Sequence, residues 1–178
     1  MPRNIEIKAR ISSVEAVLPR ALALAAGDAV TIVQDDCFYR VAQGRLKLRR
    51  FADGSAELIH YQRADAANAK ASDYVRVPVP EADALHEALV RGCGVLGRVQ
   101  KRRLLLMVGN TRIHLDRVDG LGDFMELEVV LHDGQSDADG AAVAEALMRS
   151  LGLADAPRVA GAYLDALLAP GTGVSVSR

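Results

Sequence analysis

The chain has 178 residues and a formal net charge of −1, with 50% hydrophobic residues but only 4% aromatics and no Trp. That length suits one domain with a core of Leu, Val and Ala, and the even balance of charge excludes a protein that holds DNA or a membrane surface through a net positive field. Apolar runs fall short of the ~18 residues of a membrane-spanning helix, the first strand begins too early to leave room for a signal peptide, and Cys37 and Cys93 form no Cys-x-x-Cys pair, so a cytoplasmic protein with two reduced thiols is expected.

In chain order, Asn4-Ile-Glu6-Ile-Lys8-Ala-Arg10 alternates polar and apolar residues, which predicts a first strand with Glu6, Lys8 and Arg10 on one face and Ile5 and Ile7 on the other. Ser12-x-x-Glu15 resembles a capping box, and Val14, Val17, Leu18 and Leu22 follow at helical spacing until Gly27. Pro19 falls inside this helix and is expected to kink it or shift its start. Strands are predicted at about 28–41, 44–51, 55–63 and 72–79, then a helix over about 80–90 stopped by Gly92. Three further strands follow at about 94–107, 110–118 and 124–132, then a helix over about 136–151 and a short last helix around Tyr163-Leu-Asp165. The order strand, helix, three strands thus occurs twice, and a barrel would bring the first and eighth strands together while removing sheet edges. Residues 1–169 form the expected domain, and 170–178 read as a disordered tail.

Charge is segregated along these strands. Arg45-Leu-Lys47-Leu-Arg49 puts three cations on one face, Tyr61 shares a face with Arg63, and Lys101 and Arg103 open a run ending in Leu104-Leu-Leu-Met107. On the last two strands Arg112, His114 and Asp116 share a face, as do Glu126 and Glu128. With a turn at Asp119-Gly120 and Gly122, and Val118 paired with Phe124, Asp116 would face Glu126 and His114 would face Glu128. Such carboxylates repel by about 4 kcal/mol at 4 Å and an effective dielectric of about 20, so a cation is expected between them. Hard oxygen ligands in a small cluster suit Mg²⁺ or Mn²⁺. The four His residues show no zinc-ligand spacing, and without a Walker-type glycine loop a phosphate chain would be held by side chains; Gly109 and Gly120 read as turn glycines.

Glu6-Ile-Lys8, Lys47-Leu-Arg49, Lys101-Arg-Arg103, Arg112 with Asp116, and Phe-x-Glu126-x-Glu128 occur in an order that resembles the CYTH family, named for class IV adenylate cyclase and thiamine triphosphatase. The resemblance implies an α+β fold: a closed eight-stranded antiparallel β tunnel with helices packed outside. It implies a triphosphate held by Lys8, Lys47, Arg49, Arg63, Lys101, Arg103 and Arg112, and Mg²⁺ or Mn²⁺ held by Glu6, Asp116, Glu126 and Glu128. Glu6, Lys8, Glu126 and Glu128 form the implied catalytic set. Asp36 and Tyr39 resemble the family's Asp-x-Tyr-Tyr segment. The family's first strand usually reads Glu-x-Glu-x-Lys, whereas this chain has Asn4 at the first Glu, which leaves open whether one or two metals bind. Where triphosphatase members offer a Lys near the end of the fourth strand, this chain has Arg63, which binds phosphate but is a poor general base.

The leading expectation is a metal-dependent enzyme that cleaves a phosphoanhydride bond of an inorganic or organic triphosphate such as ATP, thiamine triphosphate or tripolyphosphate. The alternatives are an adenylate cyclase releasing cyclic AMP and pyrophosphate, and a non-catalytic module that binds polyphosphate or a nucleotide. The partner is a small molecule, with neither DNA nor membrane, and a homodimer is left open.

Overall fold

The computed structural model describes residues 4–62 and 73–169; Arg63 and the expected tail at 170–178 lie outside them. The strands are β1 (Asn4–Arg10), β2 (Val30–Tyr39), β3 (Arg45–Phe51), β4 (Ala56–Gln62), β5 (Asp73–Pro78), β6 (Val95–Val108), β7 (Thr111–Val118) and β8 (Gly122–Val130). The helices are α1 (Val14–Leu24), α2 (Ala82–Cys93), α3 (Asp137–Ser150) and α4 (Tyr163–Leu168). Among the described residues no helix is long and apolar enough to cross a membrane.

All eight strands join one antiparallel sheet in the order β1-β8-β7-β6-β2-β3-β4-β5. The meanders β2-β3-β4 and β6-β7-β8 meet through β2 and β6, and each is extended by a strand from the other half of the chain: β1 pairs with β8, and β5 with β4. The repeated element order is therefore a repeat of topology with exchanged outer strands. One cavity is lined from both margins, by Glu6 of β1 and Arg76 of β5, so the sheet curls into a half-barrel. The expected ring is not completed by backbone pairing: among the described residues β1 and β5 share no ladder.

Strand parity decides what faces outward. Ile5, Ile7, Ile113, Leu115, Leu127 and Val129 are buried on the convex face beneath α1 and α3, which contribute Val17, Ala21, Ala144 and Met148 to the same core. A second cluster packs α2 onto β2 and β3 through Tyr39, Leu48, Leu85 and Leu89. The third, made of Phe38, Val99, Phe124, Tyr163 and Leu164, seats α4 against the inner side of the sheet. Helix and sheet backbone approach closely at Gly140, where an added Cβ would stand 2.8 Å from Ile5 Cγ1 and 2.5 Å from Leu131 Cδ2.

Several local expectations shift. The cap of α1 is Ser13, whose hydroxyl accepts from the Ala16 N–H at 3.1 Å, and Glu15 accepts from Arg117 instead of closing a box. Pro19 lies within α1, whose buried Val14, Val17 and Ala21 keep the helix on the sheet despite the missing N–H donor. Helix α2 passes through Gly92 and ends at Gly94, whose φ of 74° supplies the left-handed turn. The β7–β8 hairpin is tighter than expected: Val118 pairs with Gly122, so Asp116 faces Phe124, His114 faces Glu126 and Arg112 faces Glu128. The like-charged pair predicted between Asp116 and Glu126 is thus replaced by one between Glu6 and Glu128 across β1 and β8.

Candidate active site

The inner face of the half-barrel encloses a cavity of about 440 Å³. Of the expected residues, Glu6, Lys8, Lys47, Arg49, Lys101, Arg103, Arg112, Glu126 and Glu128 line it. Asp116 does not; it is 0% exposed behind Arg103. Two further cations with the same strand parity are occupied elsewhere: Arg45 is bound to Asp165 at 2.7 Å, and Arg10 lies 4.7 Å over the Phe124 ring while donating to the Leu121 carbonyl.

The centre of the sheet is basic. Asp36 on β2 accepts from Lys47 Nζ at 2.7 Å and from Arg49 Nε at 2.6 Å. Burial opposes its ionisation, but Lys47 and Arg49 overcome that penalty and hold its carboxyl well below the usual carboxylate range. Burial also pulls the Lys47 ammonium down to about 8, with Asp36 opposing the shift and Arg49 reinforcing it. On β6, Lys101 is only 7% exposed, and among the described residues it has no hydrogen bond or ion pair; its ammonium lies 5.4 Å from the Tyr163 ring centroid. Burial, reinforced by Arg103, lowers its pKa well below the ordinary lysine value. A buried cation without a carboxylate is costly in the empty protein and well placed to receive an anion.

Arg103 Nε and Nη2 donate to the two oxygens of Asp116 at 2.6 Å each, and Nη2 also reaches Glu126 Oε2 at 3.0 Å. Arg112 Nη1 meets Glu128 Oε1 at 2.9 Å. Lys8 Nζ donates to the Gly161 carbonyl at 3.1 Å and sits 4.3 Å from the centroid of Tyr163. His114 lies 6% exposed, and among the described residues its Nδ1 has no hydrogen-bond partner; burial, reinforced by Arg103, lowers its pKa to about 3, so the ring is neutral at physiological pH.

Acidic residues gather at the β1–β8 margin. Glu6 and Glu128 are direct cross-strand partners, and Glu126 is paired with Lys8 on the same ladder. Burial would raise the Glu126 pKa, but Lys8 and Arg103 prevail and hold it well below the usual range. Asn4 Nδ2 donates to Glu128 Oε1 at 2.5 Å, and among the described residues the buried Asn4 Oδ1 has no hydrogen-bond partner. These oxygens fit a hard divalent cation. Asp116 fits it poorly, because Arg103 takes both of its oxygens and the Tyr163 hydroxyl donates to Oδ2 at 2.9 Å. Among the described residues no three His, Cys, Asp or Glu side chains form a ready-made metal cage; Mg²⁺ commonly keeps waters and shares substrate oxygens, so one or two carboxylates suffice.

Two residues of the Asp-x-Tyr-Tyr-like segment separate by parity. Asp36 faces the cavity, whereas Tyr39 is buried under α2 with its hydroxyl 2.6 Å from His86 Nδ1. Tyr163 escapes sequence reasoning altogether, because it reaches the cavity from a six-residue helix far along the chain. Its one signal is an aromatic ring in an Ala- and Leu-rich stretch of an aromatic-poor protein.

Residues 2–163 match the CYTH domain. The chain belongs to the CYTH domain family. This CYTH chain is similar in structure to a protein from Pyrococcus horikoshii OT3, at 24% identity and a TM-score of 0.81, covering 91% of this chain and 98% of the other. It is also similar to a Vibrio parahaemolyticus protein provisionally named an adenylate cyclase, at 23% identity and a TM-score of 0.77, covering 94% of this chain and 98% of that one. A Hippeastrum protein, provisionally named an adenylyl cyclase and described as revealing a dominant triphosphatase activity, matches at 16% identity and a TM-score of 0.67, covering 94% of each chain. No curated protein matches the sequence. At these identities the solved structures establish the CYTH fold, and the chemistry rests on the residues of the cavity.

Proposed function

We propose that this CYTH protein is a metal-dependent enzyme that hydrolyses a phosphoanhydride bond of a small triphosphate. The observation that carries the reading is the division of one cavity into a basic centre, with Lys101 unpaired among the described residues, and an acidic β1–β8 margin. A polyanion laid across Lys47, Arg49, Lys101 and Arg103 would meet point charges from the lysines and forked donors from the arginines. Lys8, Arg112 and Arg63 complete the proposed phosphate-binding set.

Glu6, Glu126 and Glu128 would hold Mg²⁺ or Mn²⁺, with Asn4 Oδ1 as a neutral oxygen beside them. When bound, such an ion would supply neutralising positive charge to the phosphate oxygens. Asp116 serves this reading through Arg103, whose guanidinium it orients, rather than as a ligand. Attack by water forms one P–O bond while the bridging P–O bond breaks, and the margin carboxylates are the acceptors at hand for the proton released. The cationic strands stabilise the charge that grows on the departing phosphate.

Product analysis tests the reading. Tripolyphosphate, thiamine triphosphate and ATP are each incubated with Mg²⁺ and with Mn²⁺, and free phosphate from any of them is the expected result. Cyclic AMP with pyrophosphate would replace hydrolysis by cyclase chemistry, and binding without turnover would mark a non-catalytic module. The Hippeastrum relative, with its dominant triphosphatase activity, is in keeping with hydrolysis as the leading expectation.

A further inference from the structure

Helix α4 is tied across one end of the cavity. The Val159 N–H donates to the Lys8 carbonyl at 2.9 Å, Lys8 Nζ returns to the Gly161 carbonyl at 3.1 Å, and Asp165 binds Arg45 of β3 at 2.7 Å. Leu164 presses on β6 so closely that a Cβ at Gly97 would stand 2.6 Å from its Cδ1. These ties fix Tyr163, the first residue of α4, with its ring 4.9 Å from Phe124 and its hydroxyl on Asp116.

The ring does more than fill space. The Lys8 ammonium lies 4.3 Å from its centroid and the Lys101 ammonium 5.4 Å, both within the ~6 Å reach of cation–π attraction. The hydroxyl meets the carboxylate that orients Arg103. One side chain therefore touches two of the cavity's cations and is one bond removed from a third. For Lys101, which among the described residues has no carboxylate partner, the aromatic face is what holds the ammonium in the cavity.

We propose that Tyr163 is a positioning residue for triphosphate binding: its ring holds Lys8 and Lys101 toward the cavity, and its hydroxyl is secondary. This rests on the reading of the cavity as a triphosphate site. A purely structural role would make ring and hydroxyl matter only for folding. A positioning role makes the ring matter for anion affinity in protein that remains folded.

The test compares wild type with Tyr163→Phe, Tyr163→Leu and Tyr163→Met. Tripolyphosphate binding to metal-free protein is measured by calorimetry, thermal melting reports folding, and KM and kcat are measured where turnover occurs. Losing two partly desolvated cation–π contacts should weaken tripolyphosphate binding by about tenfold or more in the Leu and Met variants. Tyr163→Phe should stay within about threefold of wild type, as expected for one modest hydrogen bond. In turnover the loss should fall mainly on KM. Wild-type affinity in a folded Leu or Met variant overturns the proposal, and so does a tenfold loss in Tyr163→Phe, because the hydroxyl would then be the working group. If both Leu and Met variants fail to melt cooperatively, pentafluorophenylalanine in place of Tyr163, which keeps the ring's shape but reverses the charge of its face, is compared with Tyr163→Phe: a tenfold loss of affinity relative to Phe supports the proposal and equal affinity overturns it. Wild type that binds no tripolyphosphate overturns the underlying functional reading instead, a result distinct from unequal variants.

Discussion

Lys101 and Asp36 show how two buried charges in one cavity behave oppositely. Lys101 is buried with no carboxylate partner among the described residues, so Lys101→Met should raise the melting temperature of substrate-free protein, an effect of about 1–3 kcal/mol when a charge is replaced by an apolar group of similar volume. The same change should weaken tripolyphosphate binding by about tenfold or more, the worth of a charged contact. A lower melting temperature or unchanged affinity would remove Lys101 from the site. Asp36→Asn should instead cost about 3–5 kcal/mol, since it leaves Lys47 and Arg49 buried without their counter-ion; urea denaturation measures it. Asn4 sits between these cases. It donates to Glu128 and faces the margin where Glu6 and Glu128 already oppose each other, so Asn4→Glu should lower the metal-free melting temperature while reducing the Mn²⁺ concentration needed for full activity. An unchanged Mn²⁺ titration would show that this position is not part of a metal site.

At the scale of elements, period-two alternation was enough to place Glu6, Lys47, Lys101 and Glu126 in one cavity, because a strand gives each side chain only two directions. Register was less legible. The sequence Asp119-Gly120-Leu121-Gly122 holds two glycines able to turn, both with positive φ in the structure, and the shorter loop slides the ladder by two residues without changing either face. That is why the cavity residues survived the error while the expected partners of Asp116 and His114 did not. Helix ends shifted for a related reason, since Ser12 and Ser13, or Gly92 and Gly94, are rival signals that tertiary packing must arbitrate. Tyr163 lay beyond any local pattern, because its role depends on where α4 docks. The convex face offers a control. Gly140→Ala drives a methyl group into Ile5 and Leu131 and should destabilise the fold by about 1–3 kcal/mol, seen in denaturant unfolding, while leaving tripolyphosphate affinity intact. Loss of affinity in the folded variant would mean that the α3 side is coupled to the cavity.

For the whole molecule, the fold concentrates on its inner face groups whose ionisation differs between folded and unfolded chains. The Asp36, Asp116 and Glu126 carboxyls are all held below their ordinary values, so the stability they contribute is present above the unfolded carboxylate range and is lost as pH falls through their folded values. His114, lowered from 6.5 to about 3, acts in the same direction: the unfolded chain takes up its proton first, and stability drops as pH falls across that interval. Lys47 is lowered from 10.5 to about 8, so its buried charge costs stability at neutral pH, and that cost is relieved as pH rises from about 8 toward 10.5. The empty protein should therefore gain stability from pH 4 to 7 and show a further local gain on the alkaline side of 8 from Lys47. Tripolyphosphate affinity should follow the opposite course there, falling above about pH 8 as the same ammonium gives up its proton. Melting curves with and without tripolyphosphate across pH 6–10 decide the matter: the stabilisation conferred by the ligand should shrink above pH 8, and Lys47→Met should flatten that decline. A constant ligand-induced shift from pH 7 to 10 would show that the Lys47 ammonium does not contact the phosphate chain.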